Sequence, residues 1–201
     1  QDVFERRKFR QQMMKLKESD LVQKGLLSSS LKAGEAQSLN EFMNMALSSA
    51  KADNSKINFA CPAFHIGKRQ NYLMNKGVFS QLLPFCLSFP PLFKPYQQNI
   101  AGVLDLKPLI DYMKSKGVNY IVYVDLLSGN NRLDSANFET ESLWSLTAAS
   151  LAKQEKTVNE IVRIPLQDFS LTDFSRRREM MQKGQQAGIK AAQNIKRNLG
   201  L

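Results

Sequence analysis

With 201 residues, 43% of them hydrophobic, the chain has enough material for one domain with a core of its own and too little for two comfortable ones. No stretch reaches the roughly 20 uninterrupted apolar residues of a spanning helix, because the most apolar run, residues 78–93, is broken by Gln81, Ser88 and three prolines. The chain is therefore expected to be soluble or to sit at a membrane surface, and its formal charge of +10 favours an anionic partner, either nucleic acid or acidic lipid headgroups.

The N-terminus, Gln1-Asp2-Val3-Phe4-Glu5-Arg6-Arg7, has neither an initiator methionine nor an apolar h-region, so it reads as a fragment or a processed product rather than a signal peptide. Residues 1–24 combine Arg6, Arg7, Lys8, Arg10, Lys15 and Lys17 with apolar Phe4, Phe9, Met13, Met14, Leu16 and Leu21. This predicts an imperfect amphipathic helix or an extended lead-in. Leu39, Phe42, Met43, Ala46 and Leu47 recur at three- and four-residue spacing and predict a helix over 36–50 with one apolar face.

After a polar turn at 51–56, residues 57–64 have the length and composition of a largely buried strand. Ile66-Gly67-Lys68 should hairpin it to a second strand at 69–74. A short helix from Gly77 is expected to end at Leu83, because Pro84 has no amide hydrogen and disfavours helical geometry in the residue before it. Pro90-Pro91 then forces an extended exit. Pro108 in a first turn, followed by Leu109, Ile110, Tyr112 and Met113 and stopped by Gly117, predicts the next helix. Residues 118–127 are nearly continuous in β-branched and aromatic side chains, as a central strand buried on both faces should be, and are expected in one sheet with 57–64. Strand–helix–strand order implies a layered α/β fold.

A polar loop at 130–137 precedes a helix over 140–156 built around Leu143, Trp144, Leu146, Thr147 and Leu151, and then a short strand at 160–165. The terminal helix, 175–199, is expected to turn Met180, Met181, Ala187, Gly188, Ile189, Ala191, Ala192 and Ile195 towards the protein. Its small residues Gly184, Gly188, Ala191 and Ala192 would allow close packing on a sheet. This segment also holds the second basic cluster: Arg176, Arg177, Arg178, Lys183, Lys190, Lys196 and Arg197. Either cluster also suits a solvated helix face. Base-stacking aromatics are interleaved only as Phe4, Phe9 and Phe174, and no RNP, KH or zinc-finger pattern is present, so a basic nucleic-acid binder ranks third and no nucleic acid is expected as partner.

Cys61 and Cys86 lie in apolar surroundings with no C-x-x-C or Cys/His spacing, which favours two buried thiols over a disulfide or a metal site. His65, the single histidine, reads as a turn residue. Ser80 and Ser88 stand where helix caps and turns use hydroxyls. No metal or other cofactor is expected.

One block carries more. It runs Gly77-Val78-Phe79-Ser80, Phe85-Cys86-Leu87-Ser88-Phe89-Pro90-Pro91-Leu92-Phe93, Ile100-Ala101-Gly102-Val103, and Gly117-Val118-Asn119-Tyr120-Ile121-Val122-Tyr123-Val124-Asp125. Upstream stand Arg6-Arg7-Lys8 and Lys24-Gly25-Leu26-Leu27-Ser28. Downstream stand Ile164-Pro165-Leu166-Gln167-Asp168-Phe169-Ser170-Leu171-Thr172-Asp173-Phe174 and Met180-Met181-Gln182-Lys183-Gly184-Gln185-Gln186-Ala187-Gly188. This order resembles the C-terminal portion of the patatin-like phospholipases of bacterial type. There a "G-x-(L/V)" helix start precedes an "A-S-x-x-(I/L)-P-x-(V/L)-F-x-P" segment, a "(V/I)-D-G-(G/A)" turn presents the catalytic aspartate, and a helix leads into "V-I-A-V-(D/S)".

The resemblance implies a layered sheet flanked by helices, here a partial domain, with a lead-in at 1–35, an α/β core at 36–174 and a terminal helix at 175–201. It implies hydrolysis of acyl lipids or phospholipids by a serine–aspartate dyad, with the serine in G-x-S-x-G on a strained strand-to-helix turn beside backbone oxyanion donors. None of the ten glycines participates in G-x-S-x-G, so that motif would have to come from an N-terminal segment. The family's spacing places Ala101 where the aspartate is expected and Gly102 at the turn glycine. Pro84 stands in place of an arginine and Pro91 in place of a glycine. Asp105 is either a displaced base or a helix cap, the second being the commoner use of a carboxylate there; Asp111 and Asp125 match positions with structural roles. This chain alone is expected to be inactive. The alternative is a catalytically inactive binding or scaffold module, and contact with a membrane surface fits either reading.

Overall fold

The computed structural model describes residues 50–89, 93–127, 138–169 and 173–201, together with Gln11, Met14, Lys15, Gln23, Lys24, Leu31, Lys32, Met43, Asn44 and Leu47. The expectations for the lead-in, for the Pro90-Pro91 exit and for the loop at 130–137 fall, apart from those positions, outside the described residues. Helices and strands mix throughout, which makes the chain an α/β protein, and it divides into two units, Gln1–Leu109 and Ile110–Leu201.

In the first unit, β1 (Gln23–Lys24) and β2 (Leu31–Lys32) form a short antiparallel ladder. The expected hairpin is present: β3 (Cys61–His65) pairs antiparallel with β4 (Gln70–Met74), and β5 (Asn99–Ala101) pairs antiparallel with the other edge of β3. His65 serves the turn, its Nδ1 accepting the Lys68 N–H at 3.2 Å. The strand begins later than its apolar pattern suggests, since Ile57 is 84% exposed. Ala63 sits at the centre of the sheet, opposite Tyr72 on one side and Ala101 on the other, and is fully buried. Met43 and Leu47, both helical, are buried while Asn44 is exposed, as the apolar face of that segment requires.

Two expectations fail here for the same reason. Helix α1 (Phe79–Leu87) runs through Pro84 instead of stopping before it. Phe79, Leu82 and Pro84 are all buried, and burial of this face outweighs the one backbone hydrogen bond that proline cannot make. Nor are the cysteines free thiols: Cys61 of β3 and Cys86 of α1 form a disulfide, their Cα atoms 5.9 Å apart. Strand and helix are far apart in sequence and adjacent in space, a proximity that local spacing does not encode. The start of α1 is fixed by a loop clasp in which Gly77, at φ +108°, donates its N–H to Asp53 Oδ1 at 2.6 Å, and Phe79 donates to the Ala50 carbonyl at 2.9 Å.

Helix α2 (Lys107–Ser115) begins beside Pro108 and ends as the sequence predicts, with Gly117 at φ +81° and the Val118 N–H returning to the Met113 carbonyl at 3.1 Å. In the second unit, β6 (Val122–Asp125) and β7 (Glu160–Arg163) form a parallel pair connected through α3 (Phe138–Gln154). Helix α4 (Arg177–Leu199) closes the chain, with Gly200 left-handed at φ +71°. Among the described residues of this unit, Ile110, Ile121, Leu151, Val162, Phe169 and Ala191 are the buried hydrophobic ones, with Thr147 fully buried among the polar ones.

Residues 118–127 do not form a central strand. Among the described residues β6 pairs only with β7, in a sheet separate from β3, and Val122, Val124 and Leu126 are 37%, 52% and 49% exposed. Ile121 and Asp125 are the buried positions. An apolar run reports what a strand tolerates, whereas its burial depends on how many elements cover it. The same correction applies to α4. Met181 and Ile189 are 38% and 57% exposed, and the inward face runs through Met180, Ala187 and Ala191.

Candidate functional site

The segment singled out by the sequence is the end of β5. Ala101 is 4% exposed, and its N–H donates to the Ser88 carbonyl at 3.0 Å. The next amide, that of Gly102, donates to the Pro62 carbonyl at 2.9 Å. A Cβ at Gly102 would lie 3.0 Å from both the Ala63 nitrogen and the Pro62 carbonyl carbon, so only glycine fits where β5 leaves the backbone of β3. Replacing Gly102 by Ala is expected to force the strands apart at a cost of about 1–3 kcal/mol, read as a lower midpoint in urea.

Asp105 is engaged at the start of α2. Its Oδ1 accepts the Lys107 N–H at 3.0 Å and its Oδ2 accepts from Asn71 Nδ2 at 3.2 Å. Ser88 is fully buried, and its hydroxyl donates to the Pro84 carbonyl one turn back. Ser80 is buried on α1. The structure thus brings Ala101, Gly102 and Ser88 together through backbone bonds, and places Asp105 at a helix start with both oxygens accepting hydrogen bonds.

A second cluster, of which sequence reasoning named only Asp125 and gave it a structural role, occupies the carboxyl ends of the parallel strands. Asp125 is 3% exposed and accepts the Leu127 N–H at 2.9 Å. Arg163 Nε stands 3.9 Å from Asp125 Oδ2, and Arg163 Nη2 is 2.6 Å from Glu155 Oε2. Burial, with the charges of Asp125 and Glu155, pushes the Tyr123 hydroxyl up to about 12. Because the unfolded phenol ionises near 10, the folded chain retains this proton longer than the unfolded one. Stability from Tyr123 is therefore complete below about pH 10 and is lost as pH rises through about 12. Denaturant midpoints between those values should fall with pH, and Tyr123→Phe should flatten the decline.

Between β7 and α4 lies a cleft of about 440 Å³. Ile161, Val162, Pro165, Ala187 and Ala191 supply its apolar lining, and Arg163, Lys183 and Lys190 its cations. Lys183 also stands 3.6 Å from Asp168 and 5.3 Å from the Phe169 ring, which Arg176 covers at 4.2 Å. The sequence signal that points to this cleft is the pairing of Ala187 and Ala191 with Lys183 and Lys190 on one side of a helix.

Among the described residues there is no group of three His, Cys, Asp or Glu side chains able to hold a metal ion, and no helix long and apolar enough to cross a membrane. Compared with known proteins, the chain matches no protein-family model and no curated protein sequence.

Proposed function

We propose that this chain is the C-terminal part of a patatin-like lipid acyl hydrolase, acting on acyl lipids or phospholipids, and that it is not a hydrolase by itself. The observation that carries the reading is Gly102, pressed against β3 directly after Ala101, at the point where the family's turn presents its aspartate. Further support comes from the order β5, glycine turn, α2 with Pro108 near its start and Gly117 past its end, then β6 ending in Asp125. In this reading the chain is a partial domain of a layered sheet flanked by helices, and the remaining part covers the exposed Val122 and Val124 of β6.

The chemistry would divide between the two parts. A serine on the strained turn of a G-x-S-x-G segment attacks the ester carbonyl, and backbone amides beside it stabilise the oxyanion, an interaction worth roughly 10²–10³-fold per donor. A carboxylate at position 101 would take the serine proton, a positioned base contributing roughly 10²–10⁴-fold. Ala101 cannot do this. The charge of +10 would draw the chain to anionic lipid surfaces, where such substrates lie.

Reading the coding sequence immediately upstream of Gln1 tests the proposal. A G-x-S-x-G preceded by a Gly-rich loop is expected, and an unrelated upstream domain contradicts it. A second reading, a patatin-like module retained for binding or scaffolding, is favoured by the buried alanine at position 101. It predicts that a supplied nucleophile segment gives no turnover even when position 101 is changed to aspartate.

A further inference from the structure

We infer that the cleft between β7 and α4 is a binding site for a single-chain anionic amphiphile, a long-chain carboxylate, and this inference stands independently of the hydrolase reading. The first argument is shape. Strand and helix run antiparallel along the cleft: a Cβ at Gly184 would lie 3.6 Å from Ile164 Cδ1, and Asn198 Nδ2 reaches Glu160 Oε2 at 3.3 Å at the opposite end. A four-residue strand is about 13 Å long, enough wall for an extended alkyl chain to lie along. Its volume of about 440 Å³ falls in the range of roughly 300–1,000 Å³ in which small-molecule sites are found.

The second argument is the distribution of polarity. Val162 and Ala191 are both 8% exposed and, with Ala187, make an apolar lining whose small side chains leave room for an alkyl chain. Three cations line the cleft against one carboxylate, Glu160. They are not equally committed. Arg163 is held by Glu155 at 2.6 Å, and Lys183 shares a 3.6 Å pair with Asp168, whose side chain is 68% exposed; an exposed pair of that kind is weak and readily exchanged. Lys190 has no ion pair or hydrogen bond among the described residues. The anionic head would sit between Lys183 and Lys190, with the tail lying over Ala187, Ala191 and Val162 towards the Glu160 end. Such a ligand satisfies the cations and the apolar lining together, whereas a small inorganic anion would leave the lining bare.

The test is calorimetric titration of the full chain with monomeric dodecanoate, with dodecyltrimethylammonium, acetate and anionic phospholipid vesicles as parallel probes. Saturable binding of dodecanoate is expected, with acetate and the cationic amphiphile far weaker. The Lys183→Gln/Lys190→Gln double variant should weaken dodecanoate at least about tenfold, since each lysine supplies a charge-assisted hydrogen bond. Ala187→Leu, which fills the tail channel, should weaken it comparably while leaving the acetate response unchanged. Should Ala187→Leu fail to fold, the double variant at the cleft rim decides alone. The inference is overturned if the cationic amphiphile binds as well as dodecanoate, or if the double variant binds like the parent. Absence of saturable binding, or binding to anionic vesicles alone, would overturn it as well.

Discussion

Given phospholipid vesicles or short-chain nitrophenyl esters, the isolated chain is expected to leave both at their background rate of hydrolysis. Among the described residues, each one to which the resemblance points is substituted or engaged. Position 101 carries a methyl group at 4% exposure, and the nearest carboxylate in sequence, Asp105, holds the start of α2 with one oxygen and Asn71 with the other. The Ser88 hydroxyl is buried and bonded to the Pro84 carbonyl, so it is unavailable as a nucleophile. Without base and oxyanion donors, a serine lacks the two factors of roughly 10² or more that each supplies. Turnover that a serine-reactive phosphonate abolishes would show that the chain holds a complete site of its own.

Placing a carboxylate at position 101 should be costly when the chain is alone. Ala101→Asp would place a charge at a nearly inaccessible position where the local amides are taken: that of residue 101 binds the Ser88 carbonyl and that of Gly102 the Pro62 carbonyl. An uncompensated buried charge of this kind costs roughly 3–5 kcal/mol, and each kcal/mol lowers the melting temperature of a unit of about 100 residues by about 4–8 °C. The sign of the pH dependence follows from burial. A carboxyl without partners has its folded pKa raised above the unfolded value of about 3.9, so the penalty is smallest in acid and grows as pH rises through the raised value. Melting temperatures equal to those of the parent from acid to neutral pH would mean that position 101 offers a carboxylate water or donors.

Features of the fold that depend on neighbours in sequence were legible from sequence. The β3–β4 hairpin follows from a strand pattern broken at Ile66-Gly67-Lys68, and α2 from Pro108 and Gly117. Features that depend on contacts distant in sequence were not. Pro84 stays helical because its face is buried, Cys61 meets Cys86 across strand and helix, and β6 shows one face to solvent because it has a single partner among the described residues. The candidate site divides in the same way. The resemblance to the patatin-like family points to Ala101–Gly102, yet the 3.0 Å approach of Gly102 to β3 and the engagement of Asp105 by Asn71 need the folded chain. The Asp125–Arg163–Glu155 cluster gathers residues from separate elements that no motif joins, and the spacing of Lys183, Ala187, Lys190 and Ala191 along α4 marks only one wall of the cleft.

The central claim is that Ala101 occupies the dyad position of a patatin-like site. It is tested most directly by combining the Ala101→Asp chain with a segment carrying G-x-S-x-G and its oxyanion loop, and measuring ester hydrolysis with and without a serine-reactive phosphonate. The account predicts turnover that requires both the segment and the aspartate and that the phosphonate abolishes, with the unsubstituted chain remaining at background. A folded Ala101→Asp chain that stays at background with the segment supplied would contradict it.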